Sequence, residues 1–156
     1  MKTESMRTTI KLTVFAILFG ALPSPCQTPR HAKQVGKPSE SEHTKGPNGL
    51  EGWTLDSPVP GSGYGDEKLP LTLVVARNGR ILHRIPGDAF VWKWIFWADG
   101  RQVAYESGPL HFGLACVLYD LKKGRELSRV DCYHGLPQDA PDWVRALELA
   151  SEKQPK

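Results

Sequence analysis

Short apolar runs separated by tight turns constrain this chain more than any other feature. From residue 70 onward, six such runs alternate with turns rich in glycine, proline, asparagine and aspartate; they cover 71–76, 81–85, 90–97, 102–107, 111–120 and 125–133. Runs of this length joined by short turns are typical of antiparallel sheets. The sequence therefore predicts a mainly β domain over 70–153, built on a six-stranded antiparallel meander.

The Asn-Gly pair at 78–79 gives the sharpest local signal. Both residue types accept positive φ, so the pair favours a two-residue hairpin turn between the first two runs. In that register, Val75 faces Leu82 and Val74 faces His83. Apolar residues occur on both sides of this hairpin, which predicts that it is covered on two faces.

The C-terminal segment changes from a strand period to a helical one. Pro141 is suited to the first turn of a helix, and Asp142 places a negative charge near its positive end. The apolar positions recur at helical spacing on one face; they are Trp143, Val144, Leu147 and Ala150. The pattern predicts one amphipathic helix, roughly over 140–152, lying against the sheet.

The N-terminus has the pattern of an export signal. Three basic residues precede the apolar stretch 12–22, which is too short to cross a bilayer as a helix. The sequence predicts a signal peptide over 1–26 and a periplasmic or extracellular location. A retained anchor, or lipidation at Cys26, is the alternative, and only through this segment would the chain contact a membrane.

Two polar segments lie between the signal and the domain. Residues 27–49 contain almost no aliphatic side chains, which predicts a disordered linker. Residues 50–69 predict a partly ordered lead-in, with Trp53 and Leu55 docking before a loop. The formal net charge is +3, and it falls to +1 once residues 1–26 are removed. A near-neutral chain gives no reason to expect nucleic acid as a partner.

The third run, 90–97, is the most aromatic part of the chain. Phe90, Trp92, Trp94 and Phe96 occupy alternate positions and would share one face of a regular strand. The opposite face is apolar except for Lys93. Core packing is the simpler interpretation, because four buried aromatic side chains would supply much of a small domain's stability. The alternative is a ligand face on which exposed tryptophans stack against sugar rings.

Cys116 and Cys132 remain after removal of the signal, and an exported domain can join them in a disulfide. The turn at 121–124 places Cys116 opposite residue 129, so this bridge requires a bulge or a bend. A metal site formed by both cysteines with His111 and His134 is the alternative. Its Cys-x-His spacing is not a usual zinc pattern.

Two stretches resemble parts of a TolB-like β-propeller blade. FWADGRQVAY (96–105) resembles the inner hairpin, with Ala98 where the family pattern has proline, and LYDLKKGR (118–125) resembles the outer one. The resemblance covers about 88–133, and 70–86 would be the outer half of a preceding blade. It implies a binding scaffold, of which about one and a half blades are present, too few to close a ring.

The motifs of the common hydrolases and phosphate-binding loops are absent from the sequence. We therefore expect a non-enzymatic binding module without catalytic residues, metal or cofactor. Its expected partner is another protein, an envelope component or a second copy, bound through a sheet edge. Carbohydrate binding through Trp92 and Trp94 is the first alternative, and a small hydrolase or metalloprotein using His111 and His134 is the second.

Overall fold

The computed structural model describes residues 36–59, 67–109 and 113–151. The predicted signal peptide, residues 60–66 of the predicted loop, and His111 lie outside the described residues. Those that are described form nine strands in two antiparallel sheets, followed by one α-helix. The predicted mainly β fold with a C-terminal helix is confirmed.

The first sheet contains the first five strands; they are β1 (Ser39–Glu40), β2 (Thr44–Lys45), β3 (Leu50–Pro58), β4 (Lys68–Arg77) and β5 (Arg80–Pro86). β3, β4 and β5 form a meander, and β1 and β2 lie along the free edge of β3. The second sheet is a four-stranded meander; its strands are β6 (Val91–Trp97), β7 (Gln102–Ser107), β8 (Ala115–Asp120) and β9 (Arg125–Asp131).

The prediction of a disordered linker over 27–49 is wrong for its C-terminal part. Ser41 both donates its N–H to the carbonyl of Thr54 (2.9 Å) and accepts the N–H of Thr54 on its hydroxyl (2.8 Å). His43 stacks on the buried indole of Trp53, with ring centroids 4.0 Å apart. A polar segment can therefore be ordered by backbone pairing and one stacking contact, although it lacks an apolar face of its own.

The β4–β5 hairpin turns where the sequence predicts, since Asn78 and Gly79 have φ of 50° and 76°. The predicted register is wrong by one residue, because a bulge follows Val75. Val75 pairs with His83, and not with Leu82. A bulge places two residues of one strand opposite one of the other, which turns each later side chain to the opposite face.

A second bulge corrects the expected arrangement of the aromatic strand. Val91 pairs with Ser107 and Lys93 with Glu106, so Trp92 is the extra residue. From Lys93 onward the side chains alternate regularly, but the expected common face of four aromatic residues is broken. Trp94 and Phe96 face the first sheet together with Val91. Trp92 stands apart from them at the edge.

The two sheets pack face to face around a shared core. Leu73, Val75 and Ile85 of the first sheet meet Val103 and Val117 of the second. Glycines make room for the large rings of β6: a Cβ at Gly46 would collide with Phe96, and a Cβ at Gly52 would lie 2.6 Å from Cη2 of Trp94. Trp94 and Phe96 therefore pack against the core and also against the backbone at these two glycines.

The helix α1 (Asp142–Ser151) covers the other face of the second sheet. Trp143, Val144 and Leu147 are buried, as their spacing predicts. They pack on Ala104 and Leu118 among other residues of that face. α1 is ten residues long, and no helix in the described ranges has the length and apolar character to cross a membrane.

Cys116 and Cys132 form a disulfide, as the sequence predicts. The bulge that this bridge requires lies in β9, where Leu127 is the extra residue, so Cys116 pairs with Val130 and not with residue 129. Cys132 then lies two positions further along, diagonal to Cys116, with a Cα–Cα distance of 5.8 Å. A disulfide is consistent with an oxidising, exported location.

Candidate functional site

A cleft of about 410 Å³ lies where the β1–β2 edge of the first sheet meets the β6 edge of the second. One wall is polar and the other is aromatic. The lining residues are Ser41, Glu42, Thr44, Thr54, Asp56, Pro70, Val91, Trp92, Lys93 and Trp94. Both predicted ligand-face tryptophans therefore lie at one cavity.

Trp94 is held in place by close packing. Its indole lies over the backbone of Gly52, where no side chain intervenes. The ring of Phe96 meets it nearly at a right angle (85°), with centroids 5.3 Å apart. The indole is half-buried, so one part of it belongs to the core and another part to the cleft.

Trp92 is held in place by a hydrogen bond. Its indole N–H donates to the carbonyl oxygen of Gly108 at 2.7 Å. The ring of Phe90 packs against it at a tilt of 59° and a centroid distance of 5.1 Å. Because Trp92 is the bulged residue of β6, its side chain leaves the regular alternation of the strand. Both indoles are thus fixed before any ligand arrives.

The polar wall carries two carboxylates. The hydroxyl of Thr54 donates to Oδ1 of Asp56 at 2.7 Å, which leaves the second oxygen of Asp56 for other partners. Glu42 is exposed at the rim. Within the described ranges neither carboxylate forms an ion pair. The ammonium of Lys93 does not neutralise them, because it binds Glu106 and Glu148 on the helix side.

His134 does not join the tryptophans, and His111 lies outside the described residues. His134 lies on an exposed loop beside Tyr133, with ring centroids 4.9 Å apart, and it does not line the cleft. The metal hypothesis for Cys116 and Cys132 is wrong, because their sulfurs are bonded to each other and cannot act as thiolates. No group of three metal-binding side chains is found in the part of the chain that the structure describes.

Ser41, Glu42 and Asp56 were not predicted as site residues. All three precede the apolar runs, and they reach the cleft only because β1 and β2 pair with β3. The one available signal is the spacing of Thr54 and Asp56, a donor and an acceptor side chain two residues apart on β3. That signal is too common to identify a site.

The packing of Trp94 on Gly52 predicts a measurable effect of one added methyl group. Gly52→Ala places a Cβ 2.6 Å from Cη2 of Trp94, so the indole must move into the cleft. We expect a loss of about 1–3 kcal/mol in the free energy of unfolding, as for other overpacked sites, and a red shift in tryptophan emission. Chemical denaturation followed by fluorescence measures both.

Gly36→Ala is the matched control. Its added methyl would meet only Cγ of Pro58, at 3.2 Å, on an exposed segment that can yield. A Gly52→Ala protein as stable as this control would contradict the assigned contact between Trp94 and β3.

The chain matches no known family model, no curated protein and no solved structure.

Proposed function

We propose that this protein is an exported, non-enzymatic binding module whose cleft holds a saccharide. The observation that carries the proposal is the pair of fixed, half-buried indoles, Trp92 and Trp94, opposite the carboxylates of Glu42 and Asp56, which form no ion pair with any residue that the structure describes. The expected function as a protein-binding module stays a prediction, and the cleft favours the carbohydrate alternative.

The two walls fit the two kinds of surface on a sugar ring. An indole face packs on the apolar C–H face of a pyranose, while carboxylate and hydroxyl oxygens bind the ring hydroxyls. A volume of about 410 Å³ falls within the range of small-ligand sites. Rigid aromatic side chains lose little conformational entropy on binding, so a preorganised cleft binds more tightly than a mobile one.

The proposal assigns the polar lining to binding. The lining residues include neither histidine nor cysteine, and the carboxylates of Glu42 and Asp56 are assigned to hydrogen bonds with ring hydroxyls. Export is supported by the Cys116–Cys132 disulfide. A protein that meets saccharides of the cell envelope or the surroundings would work in that compartment.

The propeller resemblance remains a proposal. It is supported by the order β6-β7-β8-β9, which is that of a four-stranded blade. The turn at 98–101 differs from the family pattern, because Ala98 has φ of 51° and proline is locked near −65°. A blade origin would therefore require a rebuilt turn at this hairpin.

The saccharide proposal is tested in two steps. The protein is first screened on an array of neutral oligosaccharides, and the glycans that bind are then titrated in solution while tryptophan fluorescence is followed. We expect saturable binding that protects the indoles from acrylamide quenching. Asp56→Asn keeps an acceptor for Thr54 but removes the charge, and we expect it to weaken binding by about tenfold, as for the loss of one charge-assisted hydrogen bond.

Glu67→Gln is the matched control, since Glu67 is exposed and does not line the cleft. It should bind like the unaltered protein. If no glycan on the array binds, or if Asp56→Asn and Glu67→Gln bind equally, the proposal fails.

A further inference from the structure

A second cleft, of about 680 Å³, lies where three hairpin turns meet at one end of the two sheets. These turns are 78–79 between β4 and β5, 98–101 between β6 and β7, and 121–124 between β8 and β9. The cleft is lined by three cationic side chains, Arg77, Arg101 and Lys122, together with His83, Leu82 and Asp120. This cleft is distinct from the one that Trp92 and Trp94 line, and, among the described residues, its unpaired side chains have the opposite charge.

Three cations that line this cleft have no acidic partner among the described residues. Within the described residues, Arg77, Arg101 and Lys122 form no ion pair. By contrast, Lys93 and Arg129 each bind two carboxylates. The cationic side chains of the cleft are therefore left available to an external anion.

Asp120 is the one acid in the cleft, and its charge is already engaged. Its Oδ1 accepts the N–H groups of Lys122 and Lys123, each at 2.8 Å. These backbone hydrogen bonds, that to Lys123 above all, lower the pKa of Asp120 below its usual value. Its Oδ2 lies 3.9 Å from the ammonium of Lys123. Asp120 thus shapes the turn and does not neutralise the arginines.

The β4–β5 hairpin places a further positive charge at the same end. Arg77 and Arg80 are directly opposite each other across the Asn-Gly turn. Like charges in a cross-strand pair are destabilising. A bound anion would relieve this repulsion.

Hydrogen bonds tie the 121–124 turn to the 98–101 turn and to β5. The N–H of Leu121 donates to the carbonyl of Arg101 at 3.0 Å. Nε2 of His83 is bonded to the carbonyl of Leu121 at 2.7 Å, so this nitrogen carries the proton. Nε of Arg101 donates to the carbonyl of Ala98 at 3.1 Å, which fixes the guanidinium and leaves its terminal nitrogens available.

We propose that this cleft binds a phosphate group. Two arginines and a lysine supply charge-assisted donors of the kind that phosphate oxygens accept, and a fixed guanidinium can bind two of those oxygens at once. Leu82 lines the cleft and is 40% exposed, so the group can be carried either by a soluble ligand or by a lipid headgroup. The shared chemistry is the phosphate itself.

The test uses the purified protein at constant ionic strength. One arm titrates it with pyrophosphate in a calorimeter, and the other measures co-sedimentation with phosphatidylcholine vesicles with and without phosphatidylglycerol. We expect binding in at least one arm. Arg77→Gln and Arg101→Gln should each weaken it by about tenfold.

Arg84→Gln is the control that makes the result specific, because Arg84 is exposed on β5 and does not line the cleft. Binding of pyrophosphate alone would identify a soluble phosphate ligand, and binding only to phosphatidylglycerol vesicles would identify a headgroup. Absence of binding in both arms would overturn the proposal. Equal weakening by Arg84→Gln would also overturn it, since a diffuse surface charge would then be the cause.

Discussion

Loss of the Cys116–Cys132 bridge is expected to lower the free energy of unfolding by about 3 kcal/mol, the chain-entropy value for a loop of this size. The two cysteines are 16 positions apart and enclose all of the β8–β9 hairpin except Ala115. Without the bridge, the unfolded chain regains the freedom of that loop. Urea denaturation of the Cys116→Ala/Cys132→Ala variant measures the change, in a Cys26→Ala background that removes the third thiol.

Reduction of the unaltered pair separates the bridge from the packing of its sulfurs. Cys116 is fully buried beneath α1, so alanine there also removes packed volume. Dithiothreitol opens the bridge while both sulfurs stay, and it should destabilise the bridged protein but leave the double-alanine variant unchanged. Equal stability of the oxidised and reduced proteins would contradict the assignment.

The elements that the sequence predicts well are those decided by neighbouring residues. The Asn-Gly turn at 78–79 follows from the positive φ that both residues accept, and α1 follows from the spacing of Trp143 and Leu147. The bulges at Trp92 and Leu127 could not be predicted in position. Their place depends on which partner strand the chain meets, and that partner is distant in sequence.

The candidate sites depend on those distant pairings more than the fold does. The tryptophans were identified because aromatic residues are conspicuous, but the bulge that separates Trp92 from Trp94 is what turns a core strand into one wall of a cleft. Glu42 was predicted to lie in a disordered linker. Its segment is ordered by pairing with β3, and its neighbours in the sequence do not reveal that pairing. The second cleft, for which we propose phosphate binding, likewise depends on three turns that are far apart in the sequence.

Loss of Lys93 is expected to weaken the packing of α1 on the second sheet. Its ammonium lies 2.8 Å from Oε2 of Glu106 and 2.7 Å from Oε2 of Glu148, which joins β6 to β7 and α1. Glu106 is buried, whereas Glu148 is half exposed. Lys93→Met would leave the carboxylate of Glu106 buried without its cation. We expect a loss of about 2–3 kcal/mol, somewhat below the cost of breaking a fully buried pair.

The same contacts give the pH dependence. Burial, the largest single effect, lowers the pKa of Lys93, but the hydrogen bonds and charges of Glu106 and Glu148 together raise it above 10.5. A pKa that is higher in the folded state than in the unfolded chain stabilises the fold below the unfolded value. This contribution is therefore complete below about pH 10.5 and is lost as the pH rises through the folded pKa. Burial also raises the pKa of Tyr105 to about 12. The unaltered protein and Lys93→Met therefore both lose a further stabilising contribution at alkaline pH.

The difference in unfolding free energy between the unaltered protein and Lys93→Met should thus be constant from pH 7 to about pH 10 and shrink above it. Lys123→Met is the matched control, because Lys123 is 57% exposed and its pairing with Asp120 spans 3.9 Å. An exposed pair of this kind contributes little, so we expect a change below about 0.5 kcal/mol. If Lys93→Met and Lys123→Met cost the same, the carboxylate of Glu106 does not depend on Lys93, and α1 is held to the sheet by its apolar face alone.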